Sequence, residues 1–167
     1  MQQASKISVI ITTYNRPDAL AAVVRACFAQ DDLDFEIIIA DDGSSDNTQQ
    51  CVAALQADAP MPLRHVWQED LGFRAARVRN LGTLAAGGDY IIFLDGDCVP
   101  QRDFIRRHRK LAQRGYLVSG SRILLSQDAT ARTLAQPVDL QQLSLGDRKS
   151  TRLNSSHSDR SRMPSSA

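Results

Sequence analysis

At 167 residues, with 43% hydrophobic and 23% charged residues, the chain has apolar material for one buried core and too little length for two domains of ordinary size. The formal net charge of +1 conceals an asymmetry, because residues 148–167 hold Arg148, Lys149, Arg152, Arg160 and Arg162 against Asp159, a local charge of +4 that leaves −3 on residues 1–147. A mildly acidic globular part argues against nucleic acid as a partner, and no apolar run approaches the length that spans a bilayer.

The first six residues pass straight into a strand-like run without the apolar core of a signal peptide. Cys27, Cys51 and Cys98 lie far apart, without metal-ligand spacing, and read as buried thiols of a reducing compartment. Cytoplasmic localisation is the expectation.

From there the chain alternates strand and helix signals, the pattern of a parallel sheet with crossover helices. The first strand covers 7–12. Asn15-Arg16-Pro17-Asp18 supplies a turn and a proline suited to a first helical turn, and Leu20, Val23, Val24, Cys27 and Phe28 follow at amphipathic spacing. A second apolar strand over 35–40 ends in Asp41-Asp42-Gly43, after which Ser44 or Ser45 is placed to cap a helix carrying Cys51, Val52 and Leu55. Pro60 and Pro62 close that unit, and 63–67 forms a short third strand. A polar loop, 68–74, leads into a helix over 75–85 that Gly87-Gly88 ends.

The next stretch organises the rest. Residues 90–94 form an unbroken apolar run that reads as a central strand buried on both faces, and it ends in Asp95-Gly96-Asp97. Beyond Pro100, Phe104, Ile105, His108, Leu111 and Ala112 share one helical face, with Arg106, Arg107, Arg109 and Lys110 on the other and Gly115 as terminator. Residues 116–125 read as a further strand with Gly120 as a bulge. His65 in a strand and His108 on an apolar helix face read as structural.

Strands of a parallel sheet point the same way, so the turns at Asp41-Asp42-Gly43 and Asp95-Gly96-Asp97 share one edge with Thr12-Thr13-Tyr14-Asn15. Asp-Gly-Asp alone is also ordinary turn chemistry. Two acidic turns after apolar strands make an acidic cleft at the carboxyl edge, where open α/β sheets bind ligands, and two hard oxygens there suit a divalent cation that itself holds phosphates.

The segments 8–16, 39–48, Arg79-Asn80-Leu81-Gly82 and 88–97 occur in the order and approximate spacing of family 2 glycosyltransferases, which the chain resembles over 6–126. The resemblance implies a Rossmann-like GT-A fold, a mostly parallel α/β sheet with flanking helices. It implies an enzyme that moves a sugar from a nucleotide-diphospho-sugar, a UDP-sugar, to a glycan or glycolipid with inversion, using Mn2+ or Mg2+. Carried over position by position, Thr12 and Tyr14 resemble the uracil pocket, and Asp42, or alternatively Asp41, accepts a hydrogen bond from the base. Asp95 resembles the residue near ribose and metal, Asp97 the direct metal ligand, and Arg79 a diphosphate contact. The loop at 67–74 is similar to that of bacterial members that build cell-surface polysaccharide or lipopolysaccharide, which would bring the chain to the inner face of the membrane through its acceptor.

The family continues for a further acceptor-binding half that carries the general base. The expected organisation here is therefore a donor-binding domain over 1–147, incomplete on its C-terminal side and inactive alone. The Ser- and Arg-rich residues 148–167 read as translated sequencing-adapter read-through, with a natural disordered basic tail as the alternative. Two other readings stand beside the transferase. A receiver-like domain also gathers carboxylates at strand ends, but Lys110 falls on a helix, and a nucleotidyltransferase would want a glycine-rich phosphate loop after its first strand.

Overall fold

In the computed structural model, which describes residues 6–135, the apolar runs build a four-stranded parallel sheet. Its strands are β1 (Ile7–Thr13), β2 (Phe35–Asp41), β3 (Leu63–Trp67) and β4 (Tyr90–Asp95), in the order β3-β2-β1-β4. Between them run α1 (Pro17–Phe28), α2 (Asp46–Asp58) and α3 (Ala75–Ala85), and after β4 come α4 (Phe104–Leu111) and α5 (Gln127–Ala135).

Side-chain alternation along the strands sorts the core into two layers. Ile7, Val9 and Ile11 of β1 and Phe35, Ile37 and Ile39 of β2 face Leu20, Val23 and Val24 of α1, Val52 and Leu55 of α2 and Ile105 of α4. On the other face Ile10, Ile38 and Ala40 meet Val78 of α3. Both layers are needed because β1 and β2 are apolar on both faces. Gly82 explains how closely α3 lies on the sheet: a Cβ there would sit 2.8 Å from the Ile10 Cγ2.

Three expectations are corrected by this arrangement. β4 is an edge strand among the described residues, and it is β1 and β2 that are covered on both faces. Ile92 is buried, but Phe93, which pairs with Ile10 on the face that carries α3, is 54% exposed. Residues 116–125 form no strand: they carry no regular secondary structure apart from an isolated bridge at Leu125, and they border a groove of about 1000 Å³ along β4. Of the cysteines, Cys27 is buried, its thiol pushed up to about 12 by burial, whereas Cys51 and Cys98 are half-buried. The expected domain boundary at 147 and the tail at 148–167 lie outside the described residues.

Candidate active site

Parallel register brings the carboxyl ends of three strands together. Thr13 of β1 is opposite Asp41 of β2, and Thr12 of β1 is opposite Asp95 of β4. Beyond β4 the chain turns back against β1: the Gly96 N–H donates to the Thr12 carbonyl at 2.8 Å, and a Cβ on Gly96 would fall 2.7 Å from that oxygen. Glycine is therefore required for the contact that swings Asp95 and Asp97 to the same side. Ligand atoms of Asp95, Asp97 and Cys98 all lie within 4.8 Å of one another.

The cleft is not simply acidic. The Arg79 guanidinium, projected from α3, donates to Asp95 Oδ1 at 2.8 Å and to Thr12 Oγ1 at 3.1 Å. Arg122 reaches the other oxygen, Oδ2, at 3.7 Å. Asp97 is exposed, and its hydrogen-bond partner among the described residues is the Cys98 thiol at 3.5 Å. Burial, then the neighbouring Asp97 carboxylate, push the Cys98 thiol above its ordinary value. A thiol that stays protonated is no ligand for a hard cation, so the donor set reduces to the two carboxylates. Two half-exposed to exposed carboxylates fit Mg2+ or Mn2+, which bind oxygen and keep positions for phosphate.

Asp41 and Asp42 stand apart in character. Asp41 is fully buried, accepting from the Ser44 N–H at 2.8 Å on one oxygen and lying 3.1 Å from His65 Nε2 on the other. Burial pushes its carboxyl up, but the hydrogen bonds from His65 and Ser44 outweigh burial and hold it below the ordinary 3.8. Asp42, 4% exposed, accepts from the Gln68 amide on Oδ1 and from the Arg74 N–H on Oδ2 at 2.8 Å. Each oxygen of both carboxylates thus has one protein partner, and with two lone pairs per oxygen each keeps the capacity to accept a further hydrogen bond.

Tyr14 is half-exposed and donates its hydroxyl to Asp70 at 2.9 Å, a bond that, with the Asp70 charge, raises the phenol above its ordinary value. Next to it Asn15 adopts φ 47°, a left-handed conformation that asparagine tolerates. In that pose its N–H donates to Ser44 Oγ and its Oδ1 accepts from the Ser45 N–H, both at 2.9 Å, tying the β1–α1 turn to the β2–α2 turn. The serine hydroxyls therefore do not cap α2: Ser45 stands at the N-cap without a side-chain bond, and Ser44 serves Asn15. Three residues the sequence did not single out, Gln68, Asp70 and Arg122, touch the candidate groups, as does His65. Only the polar composition of 68–70 gave a signal for any of them.

His108 is on the far side of β4, with its Nδ1 3.0 Å from the Tyr90 hydroxyl and its ring edge-on to Phe104 at 4.6 Å. Burial lowers its pKa.

A parallel sheet layered by helices, with Thr12, Arg79, Asp95 and Asp97 gathered at its carboxyl edge, defines the GT-A class of nucleotide-diphospho-sugar transferase folds. Solved structures agree on the fold. The mannosyltransferase PcManGT from Pyrobaculum calidifontis, in complex with GDP-Man and Mn2+, superposes with a TM-score of 0.59 at 24% identity, covering 68% of this chain and 34% of that one. S. aureus TarS 1-349 in complex with UDP-GlcNAc gives 0.55 at 22% identity, covering 70% and 37%. The family model for Glycosyl transferase family 2 matches residues 8–164, and the chain belongs to that family. Chondroitin synthase of Escherichia coli is 34% identical over 106 residues, 63% of this chain and 15% of the synthase, so the chain spans only a small part of that relative's length.

Proposed function

We propose that this chain is the donor-binding part of a metal-dependent, inverting glycosyltransferase that takes a UDP-sugar and serves a glycan or glycolipid acceptor. The observation that carries the proposal is the convergence of Asp95 and Asp97, within 4.8 Å, on the edge where Arg79 and Thr12 also lie. The GDP-Man and UDP-GlcNAc complexes of proteins with this fold support a nucleotide-sugar donor, and the Mn2+ in one of them supports a divalent cation. The likeness to chondroitin synthase supports a polysaccharide as the acceptor class.

Asp97, exposed and without a cationic hydrogen-bond partner among the described residues, and Asp95 would hold the cation. When bound, a divalent cation neutralises the charge that builds on the diphosphate leaving group. Arg79, already aimed into the cleft by its two bonds, adds a fixed positive charge on the same side, and the half-exposed Tyr14 ring offers a stacking surface for the base. No residue in the described part is assigned as general base; we place that group with the acceptor site. None of the described helices is long and apolar enough to cross a membrane, and our proposal is peripheral work at the inner membrane face, with the acceptor as the anchor.

Calorimetric titration of the folded chain with UDP tests the reading. Affinity should rise about tenfold or more when Mn2+ is present, and Asp97→Ala should abolish the gain. Equal affinity with and without the metal in the parent chain would refute the assignment of Asp97.

A further inference from the structure

Asp95 carries a guanidinium on each oxygen, and the two are held differently. Arg79 is fixed by two hydrogen bonds, to Asp95 and to Thr12, and its side chain is 37% exposed. Arg122 stands 3.7 Å from Oδ2, beyond hydrogen-bond length, its other neighbour at the site is the Cys98 thiol, and its side chain is 70% exposed. An exposed ion pair at that distance contributes little. The chain around Arg122 carries no regular secondary structure, and a Cβ at Gly115 or at Gly120 would meet nothing within 4 Å, so the segment has room to shift.

A divalent cation on Asp95 changes this balance. It would bring two further positive charges to an oxygen that Arg122 faces at 3.7 Å, turning a weak, solvent-screened attraction into repulsion. Arg122, the loosely held member of the pair, is then the one displaced. Its guanidinium leaves from the position beside the cation, where the phosphates held by that cation must lie, and a planar fork of donors matches two phosphate oxygens better than it matches a sugar hydroxyl.

On the donor reading given above, we propose that Arg122 is a diphosphate ligand that gives up Asp95 for the phosphate oxygens of the nucleotide when a divalent cation occupies Asp95.

Calorimetry with UDP and with UMP in the presence of Mn2+, and Mn2+ titration alone followed by electron paramagnetic resonance, test this on the parent chain, Arg122→Ala, Arg122→Lys and the same-segment control Arg114→Ala. Loss of one charge-assisted contact should weaken UDP by roughly 10- to 100-fold in Arg122→Ala. UMP should change less than about twofold and Arg122→Lys should fall in between, since ammonium keeps the charge but not the fork. Mn2+ alone should bind Arg122→Ala as well as or better than the parent, an effect that a damaged fold would reverse. The control should match the parent. UDP binding in Arg122→Ala within about twofold of the parent, or an equal loss for UMP, would overturn the role of Arg122 and leave the donor reading standing. A parent chain that binds no UDP with Mn2+ would overturn the donor reading and this proposal with it.

Discussion

Glu36 at the amino end of the sheet and Asp95 at its carboxyl end are held in opposite ways. At the amino end Glu36, from the middle strand β2, has a side chain 3% exposed and is enclosed by the Ser8 hydroxyl at 2.6 Å, the Gly87 N–H at 2.6 Å and the Arg64 guanidinium at 2.5 Å. At the carboxyl end Asp95 is 47% exposed on its side chain, with one firm and one loose arginine, and Asp97 is exposed. Each end has a glycine pressed on β1: a Cβ at Gly88 would lie 2.6 Å from Ser8 Oγ, and one at Gly96 would lie 2.7 Å from the Thr12 carbonyl. The close backbone approach is therefore common to both ends, and what separates them is whether the carboxylate's partners are protein groups in full or leave room for something else. A buried, fully partnered charge holds α3, β1, β2 and β3 in register. A half-exposed one with replaceable partners is a place for a ligand.

The largest effect that breaks the comparison is at the closed end. Glu36→Ala strands the Gly87 N–H and Ser8 hydroxyl and deprives Arg64 of its partner, and should lower unfolding free energy by about 2–4 kcal/mol in urea titrations. The same variant should leave the Mn2+ affinity of the chain unchanged. Glu36 also carries a pH signature. Burial pushes its carboxyl up, but Ser8, Gly87 and Arg64 together hold it below the ordinary 4.5, and Asp41 is likewise held below 3.8. For a depressed carboxyl the stabilisation is complete above the unfolded value and disappears as pH falls through the folded one. Stability should thus be full above pH 4.5 and decline below it, with a shallower acid limb in Glu36→Ala than in the parent.

A smaller effect is expected at the open end. Gly96→Ala forces a Cβ against the Thr12 carbonyl, at a cost of about 1–3 kcal/mol by thermal or urea unfolding. Because relief of that clash moves the turn, the variant should also loosen Mn2+ binding, which Glu36→Ala does not. A Gly96→Ala chain with parental stability and metal affinity would show that the contact with β1 does not organise Asp95 and Asp97.

How much of this could be read in the sequence follows from what each feature depends on. β1, β2 and α3 were legible because apolar runs and glycine or proline punctuation are local, and the shared edge of Thr12, Asp41 and Asp95 follows from parallel strands alone. The position of β4 was not, since Tyr90-Ile91-Ile92-Phe93-Leu94 has the same composition whether or not a helix covers Phe93. Residues 116–125 have strand-like composition, but a strand is a relation between two segments, and here Leu125 alone of the segment makes a bridge. Asp42 had no sequence feature to mark it as enclosed, because its partners Gln68 and Arg74 come from a loop 26 to 32 residues away. Arg122 was hidden for the same reason, its link to Asp95 existing only in three dimensions.

The central claim is that Asp97 and Asp95 hold a divalent cation which in turn holds a nucleoside diphosphate. Anomalous scattering at the manganese edge from crystals grown with UDP and Mn2+ tests it most directly. The account predicts a single strong peak within bonding distance of Asp97, with diphosphate oxygens on its open side and the uridine ring beside Tyr14. A manganese peak away from both carboxylates, or UDP bound elsewhere on the chain, would contradict it.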